Sequence, residues 1–247
     1  MNIEFQSKKP YTIFSINNFL DNKFYENLRE NFPDVNSFKK TDNLKYSLDS
    51  YSENYKDLCK SNSAMKNFHE KVLSNEFLSL FYKNFYIYFL KSRLEDPKNL
   101  LRLLRFPKLH YTDKNETNYK DFFFQKIKIK IQYSIIKNGG KIVPHTDAID
   151  KLLSLMLYFP NESNYLEEDK NKLGTIFWKS KINNFRNKHI KSSDNNFFSN
   201  SQKLYQTEFK ENCLYGFIRN SMSWHSVEEI KMTDDFQRRS ININFYI

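Results

Sequence analysis

Hydrophobic and polar residues fall into two regimes along this chain, helical spacing before about residue 100 and strand-like alternation after it. Tyr11 to Ile16 alternates apolar with polar and predicts a strand. Asp21 or Asn22 then offers an N-cap to a helix carrying Phe24, Leu28 and Phe32 on one side and stopped by Pro33. From Ser63 to about Leu94 the residues Met65, Phe68, Val72, Phe77, Leu80, Phe81, Phe85, Tyr88 and Leu90 recur at helical spacing. This predicts two helices, broken near Ser74-Asn75 and packed on the outside of a sheet, with the aromatic stripe as core.

Phe124 to Ile136 has the opposite texture: Ile127, Ile129, Ile131, Tyr133 and Ile135 alternate with Lys126, Lys128, Lys130 and Gln132, the period of a long strand. Asn138-Gly139-Gly140 turns the chain into a strand that delivers His145. Further strands are expected at Leu152 to Phe159, Gly174 to Lys179, Asn212 to Arg219, Trp224 to Ile230 and Arg238 to Ile247. Residues 161–173 and 183–203, rich in Asn, Ser, Lys and Asp, read as long loops, where substrate selection usually sits. There is no internal repeat and no Pro/Ser linker. The expectation is one mainly β, α+β domain over 1–247, with 1–100 as a helical support region and 101–247 as a closed or double sheet.

Composition adds limits. The formal charge of +10 raises nucleic acid or another polyanion as a partner, but the excess is Lys scattered among Asn, Ile, Phe and Tyr, with no evident base-stacking module, so nucleic acid is not favoured. Low Gly and Pro with 17% aromatic residues argue against disorder. Cys59 and Cys213 offer neither a disulfide framework nor zinc spacing and fit a reducing compartment. The opening residues lack a secretory leader's apolar stretch, and no run is long enough for a membrane span. A cytoplasmic protein with no membrane partner is expected.

Candidate chemistry centres on His145-Thr146-Asp147. At an extended strand end, residues i and i+2 project to one side, so His145 and Asp147 can reach a common ion while Thr146 points away. Pro144 suits a strand edge or end. A third donor is His225 in Ser-Trp-His-Ser-Val. Singly, His145 reads as a turn histidine and His225 as a core histidine. Together, two imidazoles and a carboxylate leave half of an octahedral iron open, and a guanidinium from Arg238-Arg239-Ser240 suits a dicarboxylate. His69, His110 and His189 lack such partners and read as ordinary.

Gly139-Gly140-Lys141-Ile142-Val143-Pro144-His145-Thr146-Asp147, Leu153-Ser154-Leu155-Met156-Leu157-Tyr158-Phe159, Gly174-Thr175-Ile176-Phe177, Trp224-His225-Ser226-Val227 and Arg238-Arg239-Ser240 together resemble the 2-oxoglutarate and Fe(II)-dependent oxygenases, in particular the prolyl-hydroxylase-like branch. Tyr11 to Pro33 is similar to the opening of many bacterial members, so the resemblance covers nearly the whole chain. It implies a double-stranded β-helix, or jelly roll, of about eight core strands, backed by the N-terminal helices. It also implies Fe(II) held by His145, Asp147 and His225. The co-substrate 2-oxoglutarate would chelate the iron through its keto oxygen and adjacent carboxylate, and dioxygen would take the last position. The implied reaction hydroxylates a substrate and releases succinate and carbon dioxide, with ascorbate as an accessory reductant.

The family's Arg-x-Ser pattern matches Arg238 with Ser240 as the site for the remote carboxylate. Strand parity puts Arg238, Ser240, Asn242 and Asn244 on one face and Arg239, Ile241, Ile243 and Phe245 on the other; register leaves Arg239 as the alternative. The chain departs from the prolyl-hydroxylase-like pattern at Ile136, where many members have Tyr, at the arginine where many use Lys, and at Leu173, where a second Gly often precedes Gly174. Peptidyl-proline is therefore not carried over, and a small molecule or peptide side chain is expected as substrate. Two alternatives stay open: an oxidative nucleic-acid demethylase of the same superfamily, and a non-catalytic cupin-like binding protein.

Overall fold

A computed structural model of the chain describes residues 2–41, 44–94, 106–109, 124–160, 169–182 and 195–247. Among them, strands form two sheets. The larger runs in the order β1 (Glu4–Ser7), β2 (Ile13–Ile16), β11 (Leu214–Ile218), β8 (Lys151–Tyr158), β13 (Gln237–Tyr246), β6 (Phe124–Lys137), β4 (Lys45–Asp49) and β3 (Lys39–Lys40). Alongside β6 lies β5 (Phe106–Leu109), the one parallel pairing of strands among the described residues. The smaller sheet runs β10 (Ser201–Gln206), β9 (Ile176–Ser180), β12 (Trp224–Val227) and β7 (Ile142–His145). From β6 to β13 the chain passes back and forth between the sheets, so residues far apart in sequence meet between them.

The alternation in β6 and β13 separates two environments. Ile127, Ile129, Ile131, Tyr133 and Ile135 join Ile241, Ile243 and Phe245 in a core shared with the helices. On the opposite face, Gln132, Ser134, Arg238, Ser240, Asn242 and Asn244 line a cavity. Among the described residues the α-helices are α1 (Asn22–Glu30), α2 (Glu53–Ser61), α3 (Ser63–Val72), α4 (Asn75–Ser92) and the short α5 (Asn195–Ser199). Each of the first four starts at a side-chain cap: Asp21 accepts from the Lys23 and Phe24 N–H groups, Ser52 from Tyr55, Asn62 from Met65 and Ser74 from Phe77. Phe85 of α4 stacks on Phe14 with ring centroids 4.2 Å apart, and Phe81 meets Phe245 at 5.8 Å. The aromatic stripe is thus core, as its spacing implied.

A second apolar cluster joins the two sheets: Ile13, Met156, Tyr158 and Phe217 from the larger, Phe177 and Val227 from the smaller. The larger sheet therefore has helices on one face and the smaller sheet on the other.

Several sequence expectations are corrected. Part of the loop expected at 183–203 is ordered: Asn195–Ser199 is helical, and β10 begins at Ser201 and pairs with β9. The strand expected to reach Ile230 ends at Val227. Besides the helices and the strand expected within Tyr11 to Ile16, which is β2, the first hundred residues supply β1, β3 and β4. The helix α2 escaped the pattern because Tyr55 is its one buried residue. His110, His189 and the loop residues 161–168 and 183–194 lie outside the described residues. No helix among the described residues is long and apolar enough to cross a membrane.

Candidate metal centre

The smaller sheet builds the site. β7 is its edge strand, which accommodates Pro144, and antiparallel pairing with β12 sets His145 opposite His225. Just past the end of β7, Thr146 turns inward and is fully buried, and Asp147 follows on the side of His145. Ligand atoms of His145, Asp147 and His225 all lie within 4.8 Å of one another. His225 Nε2 stands 4.0 Å from Asp147 Oδ2.

Both imidazoles are oriented by backbone. His145 Nδ1 is 2.9 Å from the Val143 carbonyl, and His225 Nδ1 is 3.1 Å from the Ser223 carbonyl. A carbonyl oxygen only accepts, so each Nδ1 carries the proton and Nε2 carries the lone pair in the neutral ring. This is the tautomer a Nε2-bound metal requires. The His225 ring rests against Phe217 at 4.6 Å between centroids, which gives the site an apolar floor.

Asp147 is held from three directions. Its Oδ1 accepts from Lys151 Nζ at 2.8 Å, its Oδ2 accepts from the Ser154 hydroxyl at 2.8 Å, and Arg219 Nε donates to its backbone carbonyl at 3.2 Å. Burial pushes the carboxyl pKa up, but Lys151 and then the His225 and His145 imidazoles outweigh it and hold the group well below the usual carboxylate range. Asp147 is thus an anion.

The three donors sit on the wall of a cavity of about 390 Å³. Arg238 lines it and is 3% exposed. Its Nε donates to the Leu173 carbonyl, its Nη2 donates to the Thr175 hydroxyl at 3.3 Å, and its guanidinium lies 4.8 Å from the Tyr158 ring centre. Tyr158 in turn exchanges hydrogen bonds with the Thr175 and Thr207 hydroxyls at 2.8 and 2.9 Å. Ser240 is buried on the same wall. Arg239 faces the other way, over Phe32 at 5.6 Å, with its Nε on the Gln237 side chain. The parity expected for β13 is the observed one.

All five residues singled out in the sequence therefore reach one cavity. Missed were Lys151 and Ser154, which hold Asp147, and Tyr158, Thr175 and Thr207, which frame Arg238. Ser154 had a readable signal, since it shares strand parity with Met156 and Tyr158. His69 makes a 3.1 Å contact with the Tyr55 hydroxyl, away from the cavity.

No family model and no curated protein matches the chain. Among solved structures, it is similar to a prolyl-4-hydroxylase from Pseudomonas putida, with 10% identity, a TM-score of 0.44, and coverage of 96% of this chain and 93% of that one. It is also similar to a prolyl hydroxylase in complex with a hypoxia inducible factor oxygen degradation domain peptide fragment from Trichoplax adhaerens, with 12% identity, a TM-score of 0.43, and coverage of 95% and 83%.

Proposed function

We propose that this chain is an Fe(II)- and 2-oxoglutarate-dependent dioxygenase that hydroxylates a small molecule or a peptide side chain and releases succinate and carbon dioxide. The observation that carries this reading is the convergence of His145, Asp147 and His225 within 4.8 Å on a cavity that also presents a buried arginine. Two neutral nitrogens and one carboxylate suit Fe(II) with positions open for ligands. Bound Fe(II) would supply the redox chemistry that side chains lack.

The residues around it have separate tasks. His145 and His225 present Nε2 because the backbone occupies Nδ1, and Asp147 contributes charge. Arg238 and Ser240 take the remote carboxylate of 2-oxoglutarate. The Leu173 carbonyl and the Thr175 hydroxyl fix the guanidinium before the ligand arrives. Burial lowers the Arg238 pKa by disfavouring its charge, and an arriving carboxylate offsets that cost. Phe217, Met156 and Tyr158 keep the walls apolar between these polar groups and help exclude water.

The eight strands β6 to β13, divided four and four between sheets ordered β11-β8-β13-β6 and β10-β9-β12-β7, support reading the core as a double-stranded β-helix within a single domain over 1–247. Two free thiols, Cys59 and Cys213, support a reducing, cytoplasmic setting. Anaerobic addition of 2-oxoglutarate to the Fe(II)-loaded protein should produce a visible charge-transfer band. Stoichiometric iron with no such band, and no succinate under air, would overturn the proposal.

A further inference from the structure

Among the described residues, four cationic side chains line the cavity: Lys45, Lys141, Lys151 and Arg238. Two are matched by acids, Lys151 by Asp147 at 2.8 Å and Lys141 by Glu229 at 3.8 Å. Arg238 is assigned above to the co-substrate. Lys45 is left: half-buried, on the cavity wall, and making no side-chain hydrogen bond or ion pair among the described residues.

Its position is set by the sheet. Lys45 and Arg238 both pair with Ile136, from opposite sides of β6. Residues in register project from the same face, so the two cations stand in one row, two strand spacings or about 10 Å apart at the backbone. One row along, Ser47 pairs with Ser134 and Ser134 with Ser240, which lines the wall beside Lys45 with hydroxyls. Burial lowers the Lys45 pKa, and Lys151 and Arg238 lower it further, outweighing Asp147 and Asp49. An anion beside the ammonium would relieve that field.

On the dioxygenase reading, counting charges narrows the ligand: of the two carboxylates of 2-oxoglutarate, one would go to the metal and the other to Arg238, so none would remain for Lys45. Resting on the dioxygenase reading above, we infer that Lys45 is the anion-recognising residue of the substrate site. The substrate is a small molecule bearing a carboxylate or a phosphate, received by Lys45 with the hydroxyls of Ser47 and Ser134. A volume of about 390 Å³, shared with the co-substrate, suits a molecule of metabolite size.

Glycerate, glycerol 3-phosphate and glycerol share a skeleton and differ in the group offered to Lys45. Calorimetric titration of each into the metal-free protein, and again into the anaerobic Fe(II) and 2-oxoglutarate complex, tests the inference. At least one anion should bind and glycerol should not; which anion binds separates carboxylate from phosphate. Lys45→Met should weaken that binding by about tenfold or more, Lys45→Arg should retain it, and the charge-transfer titration of 2-oxoglutarate should stay within about twofold of wild type in both. Thermal melting checks that both variants are folded. Failure of both anions to bind wild type, or equal binding to Lys45→Met, overturns the inference. So does loss of 2-oxoglutarate instead of the test anion, which would make Lys45 the co-substrate's partner. If the wild type gives no charge-transfer band, the dioxygenase reading fails, while the metal-free titrations still decide whether Lys45 binds anions.

Discussion

His225 stands directly across from His145 in the pairing of β12 with β7, with the two ring centroids 4.2 Å apart. Opposed residues in an antiparallel pair share a face, so the register of the smaller sheet determines whether the imidazoles meet. A slip of one residue would send one ring to the other side. The donor set is thus held by backbone hydrogen bonds, and Asp147 joins it by lying two residues beyond His145.

His145→Ala and Asp147→Ala should each reduce bound iron from near stoichiometric to near zero while leaving the fold intact, because the site lies at a strand end and neither side chain belongs to an apolar cluster. Metal analysis of purified protein, with circular dichroism as the fold check, measures this. Unchanged iron in either variant would remove that residue from the ligand set.

Arg238→Ala should weaken 2-oxoglutarate by about a hundredfold, the scale for removing one partner of a buried charged pair, with little change in iron content. Arg239→Ala should stay within about threefold, since its side chain lies over Phe32 on the far side of the sheet. Charge-transfer titration compares them, and a larger effect at Arg239 would reverse the assignment.

Gly174→Ala should destabilise the protein by about 3 kcal/mol. A methyl group there would fall inside van der Waals contact of the Thr207 carbonyl and hydroxyl oxygens. Thr207 also bonds to Tyr158 beside Arg238, so the variant should lose 2-oxoglutarate affinity as well as melting temperature. A variant with wild-type melting would show that the chain at Gly174, just before β9, can move away from Thr207.

Burial lowers the His69 pKa, against a smaller opposing pull from Glu70. Its unfolded value is near 6.5, roughly, so just below that pH the unfolded chain binds more protons than the folded one. The contribution of His69 to stability is therefore complete above about pH 6.5 and is lost as pH falls toward the folded value. Melting temperature of the wild type should drop more steeply between pH 7 and 5.5 than that of His69→Gln. Equal slopes would show that His69 does not contribute.

Much of this was legible in the chain. His145 and Asp147 could be paired because alternation puts i and i+2 on one side, and β13 declared its two faces through Ile241, Ile243 and Phe245. The break between α3 and α4 was marked by Ser74, which caps Phe77. The strand β10 was hidden because its residues are half-buried or exposed, so pairing with β9 rather than an apolar face defines it. The segment Lys45-Tyr46-Ser47-Leu48-Asp49 is too short and too polar to announce a strand, which concealed Lys45 and Ser47. The setting of Arg238 depends on Leu173, Thr175 and Thr207, contacts made by the fold and not by local sequence.

The larger sheet is one residue thick where it divides the aromatic core from the cavity, and consecutive positions of β13 serve opposite sides of that partition. Evolution, or an engineer, can thus rewrite what the pocket accepts by changing every second residue of β13 and β6, leaving the interior that keeps the molecule standing undisturbed. The intervening residues can be tuned for robustness with equally little effect on selectivity.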